Sequence, residues 1–243
     1  MFDAVCDFSQ QLVDGLLELV YPTRCVVCER PGDVLCDDDL KRLSYIDHKS
    51  ACRNCGAPFG VRLCTECMTR SGPERFAFDE SLSVLHHTES TESIVLAYKN
   101  GNERRLAEKL AALMTQALPL EWRLWADAVA WIPADRVARQ RRGFDHMQLL
   151  AGQLADMLGL PALDLLVKHA RTDQRALSRA KRRENAARLF GLRSVAVSAG
   201  IPPGNILLID DVFTTGATLD TAALVLREAG VRNIRALTIA RVW

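Results

Sequence analysis

The chain has 243 residues, and its 31 Lys and Arg residues nearly balance its 30 Asp and Glu residues, which gives a net charge of +1. This balance excludes a globally basic nucleic-acid-binding protein but leaves room for a local basic patch. The length allows one large or two modest domains. No apolar run approaches the roughly 18 residues that a membrane-spanning helix needs, so we expect no membrane insertion.

The first 20 residues have the pattern of an amphipathic helix. Apolar residues recur there at helical spacing, at Val5, Phe8, Leu12, Leu16 and Leu19. The segment lacks the basic start and the continuous apolar stretch of a signal peptide, so we expect a cytoplasmic protein.

Seven of the eight cysteines lie in residues 25–67, where they form two similar halves. Each C-x-x-C turn presents two thiolates, and two such turns close a tetrahedral zinc site. The second half supplies a complete set of four cysteines, Cys52, Cys55, Cys64 and Cys67. The spacing therefore predicts one zinc ion on these residues.

The first half has three cysteines and one carboxylate, namely Cys25, Cys28, Cys36 and Asp39. Asp39 stands where the second half has Cys67, and a carboxylate oxygen is a known zinc ligand. A second zinc ion is therefore predicted here, and the alternative is a metal-free ribbon held by packing. Disulfides are the rival interpretation for both halves, but a chain without a signal peptide disfavours them.

Ser-Gly-Pro at residues 71–73 predicts a boundary between domains 1–72 and 73–243. Beyond it, strands and helices alternate. Strands are expected at residues 79–87, 128–132, 195–198, 206–209 and 233–241. Helices are expected at residues 93–98, 103–118, 147–158 and 219–226. Such alternation predicts an α/β fold with a mainly parallel sheet and flanking helices, preceded by the small cysteine-rich ribbon.

Basic residues concentrate in two clusters. The first follows a predicted strand and consists of Arg136, Arg139, Arg141 and Arg142. The second, with few acidic residues to balance it, consists of Arg171, Arg175, Arg179, Lys181, Arg182, Arg183, Arg188 and Arg193. One interpretation is a solvated helix face. The other is an anion-binding surface, because unbalanced basic residues repel each other unless an anion is bound.

Residues 205–219 have the sequence N-I-L-L-I-D-D-V-F-T-T-G-A-T-L, in which a buried strand leads into a polar turn and a helix. Asp210 and Asp211 end the apolar run and suit the hydroxyls of a sugar, with a divalent metal nearby to balance their charge. The amides at the helix start and the hydroxyl side chains form a phosphate site. The residues of this turn are Thr214, Thr215, Gly216, Ala217 and Thr218. The alternative is a strand, turn and helix with acidic residues and no ligand.

The chain contains neither G-x-x-x-x-G-K-[ST] nor G-x-G-x-x-G, so neither an NTPase nor a dinucleotide-binding fold is indicated. Its turn resembles the 5-phosphoribosyl-1-diphosphate (PRPP) loop of type I phosphoribosyltransferases. Together with C-V-V-C, C-R-N-C-G, C-T-E-C, L-A-Y-K-N-G, W-I-P-A-D-R and Q-R-A-L-S-R-A-K-R-R-E-N, it resembles the ComF/GntX family. The chain departs from that family's pattern at Asp39, usually a cysteine, and at Gly143-Phe144-Asp145-His146, where G-F-N-Q is usual.

The resemblance implies a double zinc ribbon joined to a type I phosphoribosyltransferase-like domain. Arg136, in the turn after the strand at residues 128–132, would meet the diphosphate, and Lys181 and Arg182 would close over it from a mobile hood at residues 174–185. Asp210 and Asp211 would hold the ribose hydroxyls and favour the positive charge that builds on the anomeric carbon. The turn at residues 214–218 would hold the 5-phosphate.

For function, the resemblance implies a protein that binds PRPP with Mg²⁺ and acts in the uptake or use of external DNA. Single-stranded DNA and other DNA-uptake proteins are the partners that follow. One alternative is a metabolic phosphoribosyltransferase, a pentosyl glycosyltransferase acting on a small base or amine. Another is a non-catalytic module that binds single-stranded nucleic acid and keeps the PRPP loop as a relic. Whether the protein is an enzyme stays open at this point.

Overall fold

The computed structural model describes residues 22–60, 62–69, 75–169, 189–194 and 204–242. It divides into two compact units, Met1–Leu43 and Ser44–Trp243. Several predictions lie outside the described residues: the N-terminal helix, the domain boundary after Gly72, the strand at residues 195–198, the hood with Lys181 and Arg182, and the second basic cluster apart from Arg193.

The first unit is described from residue 22 onward and contains one short helix, α1 (Asp37–Arg42). Asp37, Asp38 and Asp39 occupy its first turn, where carboxylates interact favourably with the helix dipole. Cys36 precedes the helix in an extended conformation. The turn at residues 25–30 is closed by hydrogen bonds from Cys25 N to Arg30 O (2.9 Å) and from Glu29 N to Cys25 O (2.8 Å). These hydrogen bonds close the turn that carries Cys25 and Cys28.

The second unit is built on a five-stranded sheet whose neighbouring strands are all parallel, which confirms the predicted fold class. Its order is β1 (Glu80–His86), β7 (Asn233–Arg241), β6 (Asn205–Phe213), β2 (Ala128–Trp131) and β3 (Ala162–Leu163). Residues 206–209 of β6 are fully buried, as expected for a strand covered on both faces.

Strand β6 extends four residues beyond its predicted end, so Asp210 and Asp211 lie within it. On one side it pairs with β7 as far as Phe213 opposite Arg241, whereas on the other side its pairing with β2 ends at Trp131 opposite Ile209. The hydrogen bonds of β7 therefore hold the acidic pair in extended conformation. They lie where the neighbouring strand has already ended, which is where open parallel sheets commonly bind ligands.

Helices pack around the sheet: α3 (Glu89–Lys99), α4 (Leu106–Ala117), α5 (Leu120–Trp125), α6 (Arg136–Arg142), α7 (His146–Leu158) and α8 (Ala217–Glu228). The predicted helix at residues 93–98 begins earlier because the Thr88 side chain accepts a hydrogen bond from Thr91 N and caps it. The predicted long helix begins only at Leu106. Strands β4 (Leu166–Lys168) and β5 (Phe190–Leu192) form a separate antiparallel pair that the sequence pattern did not predict.

The cysteine-rich segment of the second unit, which includes α2 (Thr65–Thr69), packs against the outer side of β1. Ile46 N donates to Val84 O (2.9 Å), His86 N to Ser44 O (2.8 Å) and Ser81 N to Arg53 O (2.8 Å). Gly56 adopts a φ of 68°, and a Cβ there would lie 3.2 Å from the Ser83 hydroxyl. This segment and the sheet therefore share one hydrogen-bonded structure.

Candidate functional site

The acidic pair of β6 lies at the centre of the candidate site. Asp210 and Asp211 are both buried. Asp211 Oδ2 accepts a hydrogen bond from Lys99 Nζ and lies 3.3 Å from His146 Nε2. Asp210 Oδ1 accepts from Asp211 N at 2.9 Å. The two neighbouring carboxylates therefore have different environments.

These environments separate the two carboxyl groups in acidity. Burial raises the pKa of Asp210 to about 7, and the negative charge of Asp211 adds to this rise. Burial also opposes the ionisation of Asp211, but the hydrogen bond from His146 and the ammonium of Lys99 outweigh it and lower the pKa of Asp211. At neutral pH Asp211 is therefore a carboxylate, while Asp210 exchanges its proton near pH 7.

His146 is fixed from several directions. His146 is buried, and 3% of the residue is exposed. The Tyr98 hydroxyl donates a hydrogen bond to the backbone carbonyl oxygen of His146. Arg142 Nη1 lies 3.1 Å from His146 Nδ1. Because a guanidinium only donates hydrogen bonds, Nδ1 is the acceptor, and a neutral His146 then carries its proton on Nε2 and donates it to Asp211.

Lys99 and His146 are functional candidates that the sequence analysis did not assign to the site. Lys99 ends α3 and His146 begins α7, and they lie 112 and 65 residues from Asp211 in the chain. The only sequence signal was their presence in L-A-Y-K-N-G and G-F-D-H. The departure to Asp145-His146 places an imidazole against Asp211, while Asp145 caps α7 through Met147 N (3.0 Å).

The turn after β6 has the form expected of a phosphate loop. Thr214, Thr215 and Thr218 are exposed, and α8 begins directly after Gly216. Gly216 has a φ of 78°, and a Cβ there would lie 2.5 Å from the Phe213 ring, so the position requires glycine. The first amides of α8 lack carbonyl partners from a preceding turn, and such amides bind anions. We call residues 214–218 the phosphate loop, after the ligand that the sequence predicts for them.

The turn after β2 leaves the sheet beside the acidic pair. Ile132 N donates to Ile209 O at 2.9 Å, so the chain is still adjacent to β6 one residue before Asp210. Asp145 Oδ2 accepts from Ala134 N (2.9 Å), and Asp135 caps α6 through Ala138 N (2.8 Å). Arg136, the first residue of α6, is exposed. The structure therefore brings Arg136 to the same end of the sheet as Asp210, Asp211 and the phosphate loop.

The cysteine-rich segments form two separate clusters, and in each the four candidate ligand atoms lie within 4.8 Å of one another. The first cluster consists of Cys25, Cys28, Cys36 and Asp39, and the second cluster of Cys52, Cys55, Cys64 and Cys67. The Cys28–Cys36 and Cys55–Cys64 sulfur pairs are 3.7 and 3.6 Å apart. Ligands on a tetrahedral zinc ion with 2.3 Å bonds to sulfur would be about 3.8 Å apart.

The chemistry of the donors also fits zinc. The seven cysteines in the described part of the chain are free thiols, so they are not paired as disulfides there. Asp39 Oδ2 lies 3.1 Å from the sulfurs of both Cys25 and Cys36. Hydrogen bonds from Cys28, Cys25 and Cys36 hold the pKa of Asp39 at about 2, so Asp39 is ionised and offers an oxygen donor. Both clusters therefore have the donor set of a zinc ribbon.

Among the helices that the structure describes, none has both the length and the apolar character required to cross a bilayer.

Comparison with known proteins identifies related chains. Residues 16–70 match the family model described as a double zinc ribbon domain. Competence protein F of Haemophilus influenzae is 28% identical over 231 residues, covering 90% of this chain and 96% of that protein. Competence protein ComFC of Streptococcus pneumoniae is 25% identical over 232 residues, covering 90% and 100%. DNA utilization protein YhgH of Salmonella typhi is 26% identical over 200 residues, covering 79% and 84%.

Proposed function

Because the chain belongs to the ComF family, we propose that it binds PRPP with Mg²⁺ and serves a competence-related role in the use of external DNA. The related proteins named for competence and DNA utilization support the biological part of this proposal. The PRPP part rests on one observation: the buried acidic pair near the end of a central parallel strand is followed, after Val212 and Phe213, by a phosphate loop whose turn requires glycine.

Each part of PRPP has a matching group of residues in this arrangement. The phosphate loop binds the 5-phosphate through the amides of α8 and the threonine hydroxyls. Asp211, already ionised, accepts hydrogen bonds from the ribose hydroxyls, and Lys99 is then released from it toward the diphosphate. Arg136 approaches the diphosphate from the turn after β2. Mg²⁺ bound with the diphosphate would neutralise part of its charge.

Phosphoribosyl transfer is the catalytic extension of this proposal. As the bond from the anomeric carbon to diphosphate breaks, positive charge develops on the ribose ring, and the carboxylates of β6 stabilise that charge. The leaving diphosphate would be met by Lys99 and Arg136. The metabolic alternative uses the same steps with a small base or amine as acceptor.

Calorimetric titration of the full chain with Mg²⁺ and PRPP tests the proposal. We expect binding by the wild type, weaker binding of ribose 5-phosphate, and loss of affinity in Asp211→Asn. A matched control is Asp156→Asn, which removes an exposed carboxylate from α7. Absence of PRPP binding at millimolar ligand would overturn the proposal. Diphosphate release with candidate acceptors then separates a transferase from a binding protein.

A second candidate function, binding of single-stranded DNA, is favoured by a groove beside α6 and α7. The groove encloses about 760 Å³, and its lining includes Arg104, Arg139, Gln140, Phe144 and Gln148. The Arg104 guanidinium lies 4.3 Å from the centre of the Phe144 ring. An aromatic ring beside arginines is the combination that stacks a base and contacts the neighbouring phosphates. Such contacts give little sequence preference.

The salt dependence of binding separates the two kinds of contact. If about four phosphates are neutralised, log K falls against log salt with a slope near −3. Arg139→Ala should reduce that slope by about 0.7. Phe144→Leu should weaken binding by about 1–3 kcal/mol and leave the slope unchanged. If PRPP abolishes all DNA binding, the arginines serve the diphosphate alone.

Arg193 is the member of the second basic cluster that the structure describes, and its Nε lies 2.8 Å from Asp164 Oδ1.

A further inference from the structure

Arg241 joins two parts of the second unit that the proposed function treats separately. It is the last residue of β7 and is 5% exposed. Its Nε donates to the carbonyl oxygen of Cys55 (3.1 Å). Its Nη1 lies within hydrogen-bonding distance of the carbonyl oxygens of Phe213 (3.2 Å), Thr214 and Val242 (2.8 Å). One buried guanidinium therefore binds carbonyl groups from three segments of the chain.

One end of this connection is the second cluster. Cys55 belongs to the cluster, and its carbonyl lies in the turn closed by hydrogen bonds from Gly56 N to Cys52 O (2.8 Å) and from Cys52 N to Ala57 O (2.7 Å). A metal ion that holds the Cys52 and Cys55 sulfurs fixes this turn. The position of the carbonyl that faces Arg241 therefore depends on the geometry of the metal site.

The other end is the start of the phosphate loop. Phe213 precedes the loop, and Thr214 is its first residue. The Phe213 ring packs where a side chain at position 216 would lie. The Arg241 guanidinium also lies 4.2 Å from the centre of that ring. A cavity of about 240 Å³ between the cluster and the loop is lined by Cys55, Cys67, Thr214, Thr215 and Arg241, among others. Arg241 thus sets both the backbone and the aromatic support of the loop.

We propose that Arg241 is a positioning residue that couples the second cluster to the phosphate loop, so that metal occupancy of the cluster sets the affinity of the loop for a phosphoribosyl phosphate. The inference rests on the proposed function for its ligand. When the metal leaves, the Cys55 carbonyl is no longer held, and a buried guanidinium must find another acceptor or shift. Such a shift removes the hydrogen bonds that fix Phe213 and Thr214. Ordering the loop on binding then costs free energy, which lowers the affinity for the ligand.

The test compares Mg²⁺-PRPP affinity before and after zinc removal in the full chain. In the wild type we expect zinc removal to weaken binding about tenfold. Arg241→Gln should bind about tenfold more weakly with zinc present, and zinc removal should change its affinity by less than about twofold. Cys28→Ser, altered in the first cluster, should respond to zinc removal like the wild type. Arg235→Lys is the matched control, because it changes another arginine of β7 whose contacts are different. Arg235 stacks on Trp122 and Trp125.

A second measurement does not need PRPP. Hydrogen exchange of the amides in residues 213–219 should accelerate on zinc removal in the wild type and in Cys28→Ser, and α4 should keep its protection as an internal reference. If the wild type binds no PRPP, the proposed function fails, whereas this measurement still decides the coupling. If Arg241→Gln does not fold, Arg241→Lys replaces it, since a single ammonium nitrogen cannot occupy the separate positions of Nε and Nη1.

Three results would overturn the coupling. The first is unchanged affinity and exchange in the wild type after zinc removal. The second is a response to zinc removal in the Arg241 variant as large as that of the wild type, which would show that another contact connects the cluster and the loop. The third is equal loss of protection in α4 and in the loop, which would show general unfolding of the unit.

Discussion

The first and second clusters stand at equivalent positions of a repeated sequence, yet their surroundings differ. All four ligands of the second cluster are buried, whereas Cys28 and Cys36 of the first cluster are half-buried. The first cluster belongs to the compact unit Met1–Leu43, and the second belongs to the unit that contains the sheet. Similar ligand spacing therefore serves a local fold in one case and supports the five-stranded sheet in the other. Spacing predicts the metal but not what depends on it.

Replacing one ligand in each cluster should give the largest difference. Cys67→Ser should lose the second zinc and lower the melting temperature of the main transition by about 10 °C, because metal binding contributes folding free energy to the unit that holds the sheet. Cys28→Ser should lose one zinc and leave that transition almost unchanged. Zinc analysis with differential scanning calorimetry measures both. Equal shifts in the two variants would contradict the comparison.

Replacing Asp210 removes the free energy cost of burying an ionised carboxylate in the second unit and leaves the metal ligands unchanged. Its pKa rises from 3.8 to about 7 on folding, so between these pH values the folded chain keeps a proton that the unfolded chain releases. Stability therefore falls as pH rises through this window, and the full cost is present above pH 7. Asp210→Asn should raise the free energy of unfolding at pH 8 by at most about 4 kcal/mol.

Urea unfolding at pH 5 and pH 8 measures this change. The gain should shrink toward pH 5, and zinc content should stay at the wild-type value. A gain of the same size at both pH values would show that burial does not raise the pKa of Asp210 in the way described. Asp156→Asn serves as the exposed carboxylate control.

Altering the acidic pair should leave the second cluster intact, which tests the difference between the two clusters from the opposite side. Asp211→Asn should weaken Mg²⁺-PRPP binding by about 10- to 150-fold, since a hydrogen bond to a charged group contributes about 1.5–3 kcal/mol. The variant should keep its zinc, because none of the ligands contacts Asp211 in the described structure. Calorimetric titration and zinc analysis of one preparation measure both quantities.

A variant with four cysteines in both clusters separates the effect of donor type from the effect of the surroundings. Asp39→Cys should slow zinc release from the first cluster, because a thiolate is the softer ligand for zinc. We expect a change of at least about tenfold, since substitutions outside the ligand shell already have effects of that size. Release to a chromogenic chelator gives the rate for each cluster. Asp39→Ala should instead leave one zinc per chain. Two tightly held zinc ions in that variant would exclude Asp39 as a ligand.

The smallest expected effect lies in the phosphate loop. Thr215→Val should weaken PRPP binding by about 2- to 12-fold, the value of one hydroxyl hydrogen bond of about 0.5–1.5 kcal/mol. Thr69→Val, at an exposed hydroxyl in α2, is the control. If both variants bind as the wild type does, the Thr215 hydroxyl makes no contact with the ligand.

The longer segments of the fold were predictable, and the shortest ones were not. Strand β7 has its predicted limits, and the sheet is parallel as expected. The two-residue β3 and the three-residue β4 and β5 are too short to show a period. The end of β6 was misplaced because a carboxylate pair resembles a turn, whereas pairing with β7 keeps it extended.

The local part of the candidate site was also predictable, since Asp210, Asp211 and the phosphate loop are contiguous in sequence. The partners of Asp211 were not, because Lys99 and His146 reach it only through the packing of α3 and α7 on the sheet. Arg241 gave no sequence signal at all. A single arginine at the end of a strand acquires its role from the carbonyl groups that the folded chain places around it.

The backbone pairing of residues 44–53 with β1 has a consequence for the behaviour of the protein when zinc is scarce. That segment occupies the outer hydrogen-bonding side of β1, through the bonds of Ser44, Ile46 and Arg53. If the metal-free segment detached, β1 would become an exposed edge strand with unpaired amides and carbonyls, a template for pairing between molecules. In that case the second cluster would protect the protein from aggregation, and metal depletion would promote self-association through β1.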